Sequence, residues 1–425
     1  MSIPRKLMPV GWPCLLVAAA VAAGSPADGA KPKGDAMSYG EARAFLASHT
    51  RLVELSDDEG ARVALCPEWQ GRVMTSTCGG MEGPSFGFIN HQFIEAGNLD
   101  PRFNNYGAED RMWLSPEGGQ FSLWFKPGAE QTLENWYTAP AMNEGAYEVT
   151  SGANDPYYRL VKRMKFQNAS ATEFDLAVTR DVRLLNAGDL AELFGETAAG
   201  MMAQEGVEKV GYETVNTITN RSPAMDKQKG LVSIWMLGML NAAPKTVVIV
   251  PYKPGDEEQL GPPVKSDYFG RIPTERLKIT PEAILLLADG NYRAKIGTSQ
   301  KRARNVLGSI DFDAGVLTLV QFTMPDDPTQ HDYMNNMWEL PQAVPYTGDV
   351  ANSYNDGPPE PGKKGLGAFY EIESLSPAVA LGPGESLAHH HRTLHVRADA
   401  ATLARLAKEI LGVDLDAVAR EMFPE

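Results

Sequence analysis

The chain has 425 residues, enough to bury one large core or two ordinary ones. Its 43% hydrophobic and 22% charged residues exclude a disordered chain, and a formal charge of −15 argues against nucleic acid or an anionic membrane as partner. Forty glycines and 30 prolines imply many turns and hence many strands.

Arg5 and Lys6 precede an apolar run from Trp12 to Ala23, followed by small residues through Ala30. This is the pattern of a secretory signal peptide over residues 1–30, and the run is too short to favour a spanning helix. A secreted or periplasmic mature protein is expected, with no membrane partner beyond that segment. Cys66 and Cys78 then remain, and an oxidising compartment permits a bridge between them; two buried free thiols are the alternative.

Residues 31–50 read as a polar linker and a short helix, with Ser38 as N-cap and Glu41 completing a capping box. Strand alternation follows at Leu52–Ser56 and Ala61–Cys66, a turn at Pro67–Gly71, and a strand from Arg72 to Ser76. Ser85–Phe93 is apolar. Asn104–Phe125 packs glycines, charges and aromatics together, including Glu109, Arg111 and Trp113. Strands are expected at Tyr147–Thr150, Tyr158–Gln167 and Glu173–Leu184, then a helix over Leu185–Gln204. Further strands lie at Glu208–Ile218, Leu231–Met239, Thr246–Pro251, Ala283–Leu287, Tyr292–Ile296, Gly315–Phe322 and Gly367–Ile372. Residues 398–425 carry Leu403, Leu406, Ile410 and Leu411 at helical spacing and form a C-terminal helical extension of one or two helices. The sum is a mostly β protein, a large antiparallel sandwich with a few peripheral helices.

The densest stretch is Gly365–Val396, two strands joined by a Pro/Gly turn. In the first, Phe369, Glu371 and Glu373 share one face, while Tyr370 and Ile372 share the other. Two carboxylates on one strand face are costly unless that face lines a polar cavity, so Glu371 and Glu373 are candidate acid/base or hydroxyl-binding residues, against a solvated strand edge. In the second strand His389, His391 and His395 point one way. They suit a metal, a general acid, or a hydrogen-bonded strand face.

Arg111 is the first candidate for a cationic partner of the carboxylates; Arg293 and Lys295, two apart on one strand, come next. Asp349, Asn352, Asn355 and Asp356 are oxygen donors at short spacing that suit calcium or Asx-turns in a long loop. No cofactor is expected and no metal residues are assigned. Trp113 and Trp338 are candidate aromatic platforms for a ligand, or buried core residues. No nucleophile triad or phosphate loop is present in the sequence.

Three segments resemble the galactose mutarotase-like (aldose 1-epimerase) superfamily, most closely a secreted bacterial branch of it. Val63-Ala-Leu-Cys-Pro67-Glu-Trp-Gln-Gly71-Arg-Val-Met looks like its opening hairpin. Tyr106-Gly-Ala-Glu-Asp-Arg111-Met-Trp-Leu-Ser-Pro-Glu-Gly-Gly-Gln120 resembles the segment that brings an arginine into the sugar site. Ile372-Glu373-Ser-Leu-Ser-Pro377 followed by Leu381-Gly-Pro-Gly-Glu385 is similar to the pattern carrying the catalytic glutamate. The resemblance implies a β-supersandwich over residues 51–397 with a carbohydrate cleft, Glu373 as base, and epimerase or lyase chemistry. The family's general-acid histidine is matched by Asn216, which supplies no titrating proton. The acid would then come from His91, His389, His391 or His395, with His391 and Arg111 completing a catalytic set beside Glu373. A non-catalytic glycan-binding protein of the cell envelope is the other reading.

Overall fold

The computed structural model describes residues 37–152, 155–360 and 362–424. The expected signal peptide lies outside the described residues. Antiparallel strands dominate, arranged in three sheets.

The largest sheet has ten strands in the order Leu277–Ile279, Ala283–Leu287, Thr246–Pro251, Val306–Asp311, Val316–Phe322, Ser386–Arg397, Glu208–Asn220, Glu173–Leu184, Tyr157–Gln167 and Glu148–Val149. A five-stranded sheet runs Ala294–Ser299, Asp349–Asn355, Phe369–Leu375, Ser233–Asn241 and Arg111–Ser115. A three-stranded sheet of Val53–Ser56, Arg62–Cys66 and Arg72–Thr77 is linked to the Arg111 strand through a bridge between Val73 and Asp110.

Sheet-on-sheet packing follows from period-two alternation. Leu176, Val178, Val182, Tyr212 and Ile218 of the large sheet share one core with Met112, Leu114, Ile234, Met236 and Ile372 of the five-stranded sheet. On the far face of the large sheet, Val247, Ile249, Leu317, Leu319, Leu394 and Val396 pack against helices. These are Ala187–Phe194, Glu196–Met202, Ala400–Leu411 and Leu415–Met422. The C-terminal helices therefore close a second core on the large sheet.

Most expected elements fall where the sequence puts them. Ser38 caps the Tyr39–His49 helix, and both bonds of the capping box with Glu41 are made. The helix expected over Leu185–Gln204 is two helices, because Gly195 turns the chain at φ 86° between them. The apolar stretch Ser85–Phe93 leads into a helix at His91–Ala96. Cys66 and Cys78 are both free and buried, in different core clusters.

Between the sheets runs a buried polar seam. Arg180, fully buried, ion-pairs with Asp110, also fully buried, and donates through Nη1 to Asn216 Oδ1 at 2.8 Å. Thr214 Oγ1 donates to the second Asp110 oxygen at 3.0 Å. Further along the seam, His395 Nε2 lies 2.9 Å from Glu109 Oε1, and Glu109 also accepts from Ser76 N and Oγ at 2.7 and 2.6 Å. A buried ion is tolerated only with its partner present. Asp110→Ala is expected to destabilise the fold by about 3–5 kcal/mol in urea unfolding, because it leaves Arg180 uncompensated, and the double variant Asp110→Leu/Arg180→Met is expected to cost less than the single one.

Candidate functional site

The Phe369–Leu375 strand lies in the middle of the five-stranded sheet and is buried along its whole length. Its register sets the site. Gly297, Asn352, Glu373, Leu237 and Arg111 are successive cross-strand partners, and Lys295, Tyr354, Glu371 and Met239 form the neighbouring row. Trp113, Trp235 and Leu375 form a third. Partners in a row share a face, so these side chains stand together on the face turned away from the large sheet.

Glu373 has no exposed surface. Its Oε2 accepts from Trp235 Nε1 at 2.8 Å, and Lys295 Nζ lies 3.2 and 3.1 Å from its two oxygens. Arg111 donates through Nη2 to Glu371 Oε1 at 2.6 Å, and its guanidinium sits 4.0 Å above the Trp113 ring. Among the described residues, the Nε and Nη1 groups of Arg111 are buried without a hydrogen-bond partner, as is Asn352 Oδ1. Tyr268 donates its hydroxyl to Asp349, and Asn352 Nδ2 donates to Asp349 Oδ2 at 3.2 Å. A Cβ at Gly297 would come within 2.6 Å of Asp349 Oδ2 and 2.7 Å of Asn352 Nδ2, so a larger residue there would displace these two side chains.

Two irregular segments cover the face. Asn336 Oδ1 accepts from Ser115 Oγ at 2.6 Å and from Glu117 N at 2.8 Å, locking the segment after the Arg111 strand to the one around residue 336. Gln342 adds bonds to the carbonyls of Asn335 and Met337, and its backbone N–H donates to Gln120 Oε1. The cover is aromatic: Trp124 packs 4.5 Å from Trp113 and 5.3 Å from Trp136, and Trp338 meets Phe125 edge-on.

Charges on this face perturb one another. Burial pushes the Glu371 carboxyl up to about 7; Arg111 opposes the rise and Glu373 adds to it. Burial also lowers Arg111, against the pull of Glu371 and Glu373. For Lys295, burial works against the ammonium, but Glu373, Glu117 and Glu371 outweigh it and hold its pKa above the usual lysine value. Since Glu371 is raised from 4.5, its contribution to stability is fully present below about pH 4.5 and is lost as pH climbs through about 7.

Of the residues expected in a site, Glu371, Glu373, Arg111, Trp113, Lys295 and Asn352 converge here. Trp338 joins from the cover. Arg293 lies at the rim, its guanidinium 4.0 Å over the ring of the exposed Phe269. Several others do not converge. His389 Nε2 and His391 Nδ1 meet Ser374 Oγ at 2.8 and 2.9 Å, and Ser374 is on the opposite face of the strand from Glu373. Both imidazoles thus lie between the sheets, and burial lowers the pKa of each, that of His391 to about 4. His391 and His389 are therefore separated from Glu373 by the sheet itself. Glu109 and His395 pair in the same interior seam, and His91 packs at a tilt against Phe45 near the first helix. Asn216 is a partner of Arg180 in that seam. The four oxygen donors weighed for calcium are parted: Asn355 turns to the inner face and donates to Tyr292 O at 2.9 Å, while Asp356 accepts from Tyr354 OH at 2.7 Å. Among the described residues no group of three or more His, Cys, Asp or Glu is placed to hold a metal ion.

Sequence reasoning missed Trp235, Tyr268 and Glu117. Glu117 had a signal, since it lies in the dense Asn104–Phe125 segment; Trp235 sits in an apolar strand that reads as plain core.

Fold and face together define an antiparallel β-sandwich protein with a covered, ionisable face on its smaller sheet. The chain belongs to the family of unknown function DUF6786, whose model matches residues 37–422. No curated protein matches the chain. Among solved structures, a candidate aldose 1-epimerase from Escherichia coli K12 is 12% identical with a TM-score of 0.46, the similarity covering 82% of this chain and 99% of that one. The Slr1438 protein from Synechocystis sp. PCC 6803 is 12% identical with a TM-score of 0.44, over 82% and 96% of the two chains. A 4-alpha-glucanotransferase from Thermococcus litoralis is 8% identical with a TM-score of 0.37, over 83% and 40%. These likenesses concern the fold alone. Among the described residues no helix is long and apolar enough to cross a membrane.

With Glu carboxyls carrying a ¹³C label, one signal is expected to titrate near pH 7 and to move to higher pH in Arg111→Met, which removes the cation that favours the ionised form. A Glu371 signal titrating in the ordinary carboxylate range would defeat this assignment.

Proposed function

We propose that this is a secreted or periplasmic carbohydrate-active protein that binds a sugar against the outer face of the five-stranded sheet and moves protons on it, in the manner of an aldose epimerase. The observation that carries the reading is the Glu373 carboxylate held between Lys295 Nζ and Trp235 Nε1 beside the Arg111–Glu371 pair. Acid–base chemistry needs a carboxylate with a fixed orientation and neighbours that tune its proton affinity, within hydrogen-bond reach of a ligand.

Lys295 is the part-exposed member of the cluster, its side chain 11% accessible against none for Glu373. A ligand reaches Glu373 by displacing the ammonium, whose three donors then turn to ligand oxygens. Glu373 takes the proton of the anomeric hydroxyl. Arg111, with two buried nitrogens that have no hydrogen-bond partner among the described residues, stabilises the oxygen on which charge develops. Tryptophan rings from the cover suit the C–H-rich face of a pyranose.

A second reading has a specific observation behind it. The imidazoles at 389 and 391 lie on the wrong face to serve as acid, which favours a non-catalytic glycan-binding protein of the cell envelope. Anomer equilibration followed by NMR across a sugar panel separates the two. Glu373→Gln is expected to slow turnover of every accepted sugar by about 10²–10⁴-fold. Unchanged turnover in that variant would falsify the catalytic reading; sugar binding with no turnover in the wild type would establish the second one.

A further inference from the structure

The acid–base reading leaves one place empty, that of the group that protonates the ring oxygen while Glu373 holds the anomeric hydroxyl. Resting on that reading, we propose that Glu117 is the proton donor of this site, facing Glu373 from the covering segment with the sugar between them.

Glu117 follows the Arg111–Ser115 strand directly, so the chain leaving the sheet floor folds back over it. It is held at several points. Its N–H donates to Asn336 Oδ1 at 2.8 Å, and its Oε1 accepts from Trp136 Nε1 at 2.9 Å. The two glycines that follow allow the neighbouring segment to close on it: a Cβ at Gly118 would lie 2.2 Å from Met337 O, and one at Gly119 would lie 2.3 Å from the Gln342 side chain. Such a clamp is what a precisely positioned side chain needs from its supporting shell.

The charges that act on Glu117 are those of Lys295 and Glu373, its side chain accepts from the Trp136 indole, and the Trp338 indole also favours its ionised form. Burial raises its pKa; Lys295 and the indoles oppose the rise, and Glu373 reinforces it. Lys295 stands under the influence of Glu373, Glu117 and Glu371 and is already committed to Glu373 at 3.1 Å. Glu371 is the weaker candidate. It rises from the same strand as Glu373, about 7 Å away by strand rise, and is tied to Arg111. Glu117 approaches from the cover, the direction a second reacting atom requires.

The proposed step balances. Glu373 takes the proton from the C1 hydroxyl, the C1–ring-oxygen bond breaks as C1=O forms, and the Glu117 carboxyl gives its proton to the ring oxygen. After rotation about C1–C2 the reverse reaction closes the ring. Glu117 recovers its proton from the hydroxyl and Glu373 returns its own to the carbonyl oxygen.

The test is the pH profile of sugar turnover in wild type, Glu117→Gln, Glu371→Gln and Trp136→Phe, with sugar affinity measured alongside. Glutamine at 117 keeps an oxygen for the Trp136 N–H. Glu117→Gln is expected to lower kcat by about 10²–10⁴-fold with affinity nearly unchanged and to abolish the alkaline limb. Trp136→Phe removes a bond that favours the ionised form, so its alkaline limb is expected at higher pH. If Glu117→Gln does not fold, the Trp136→Phe limb alone decides: moved upward it supports the proposal, unmoved it overturns it. An alkaline limb that survives Glu117→Gln, or that vanishes in Glu371→Gln instead, overturns the role of Glu117 while leaving the Glu373 reading intact. A wild type without turnover on any sugar overturns both.

Discussion

One strand divides the molecule. Phe369–Leu375 runs through the middle of the smaller sheet with both faces buried, and its period-two alternation sends Glu371 and Glu373 outward and Ser374 inward. Outward, the carboxylates meet Arg111, Lys295 and Trp235. Inward, Ser374 bridges His389 and His391 between the sheets. A slip of one residue would exchange the two environments, placing carboxylates against imidazoles and core. Pairing on both sides, with Asp349–Asn355 and with Ser233–Asn241, fixes the register over the length of the strand.

The two polar systems are balanced differently. In the interior seam each ion has a fixed counterpart: Arg180 with Asp110, and Glu109 with His395 and the Ser76 donors. Such closure is the signature of structure, because a buried ion without its partner is costly. The outer face holds Glu117, Glu371 and Glu373 against Arg111 and Lys295, so carboxylates outnumber cations. Burial raises the proton affinity of Glu371 and Glu117 and Glu373 adds to it, and tuned carboxyls beside fixed cations are what proton transfer requires. The core packing elsewhere offsets the cost of holding them.

Much of this was legible in residue order. Ser38 and Glu41 announced a helix start, and the alternation around Glu371 and Glu373 announced a polar strand face with Arg111 as its cation. The histidines show where such reading ends. Their spacing gave a common face for His389, His391 and His395, and they do share one. Yet the Pro/Gly turn after Pro377 does not close a hairpin. It carries the chain to the other sheet, where Ser386–Arg397 pairs with Val316–Phe322 and Glu208–Asn220. Which sheet a strand joins is decided by long-range packing that local pattern does not encode. Lys295 and Trp235 reach Glu373 by the same kind of contact, across 78 and 138 residues of chain.

The covering segments give the outer face its chemistry. A Lys–Glu pair at a wet surface is screened and worth little, whereas the same pair under a layer of tryptophans acts in a medium where charge is felt strongly. Glu373, with no exposed surface, is in that medium, and the part-exposed Lys295 is its ion-pair partner. One ammonium cannot neutralise two carboxylates at once. Lys295 is committed to Glu373, while burial raises the proton affinity of Glu117, whose carboxylate accepts from the neutral Trp136 indole. In the proposed mechanism, a ligand that draws the ammonium away from Glu373 removes the cation that favours the carboxylate at the moment a hydroxyl is brought to it. On that reading, binding and proton acceptance are coupled through one lysine.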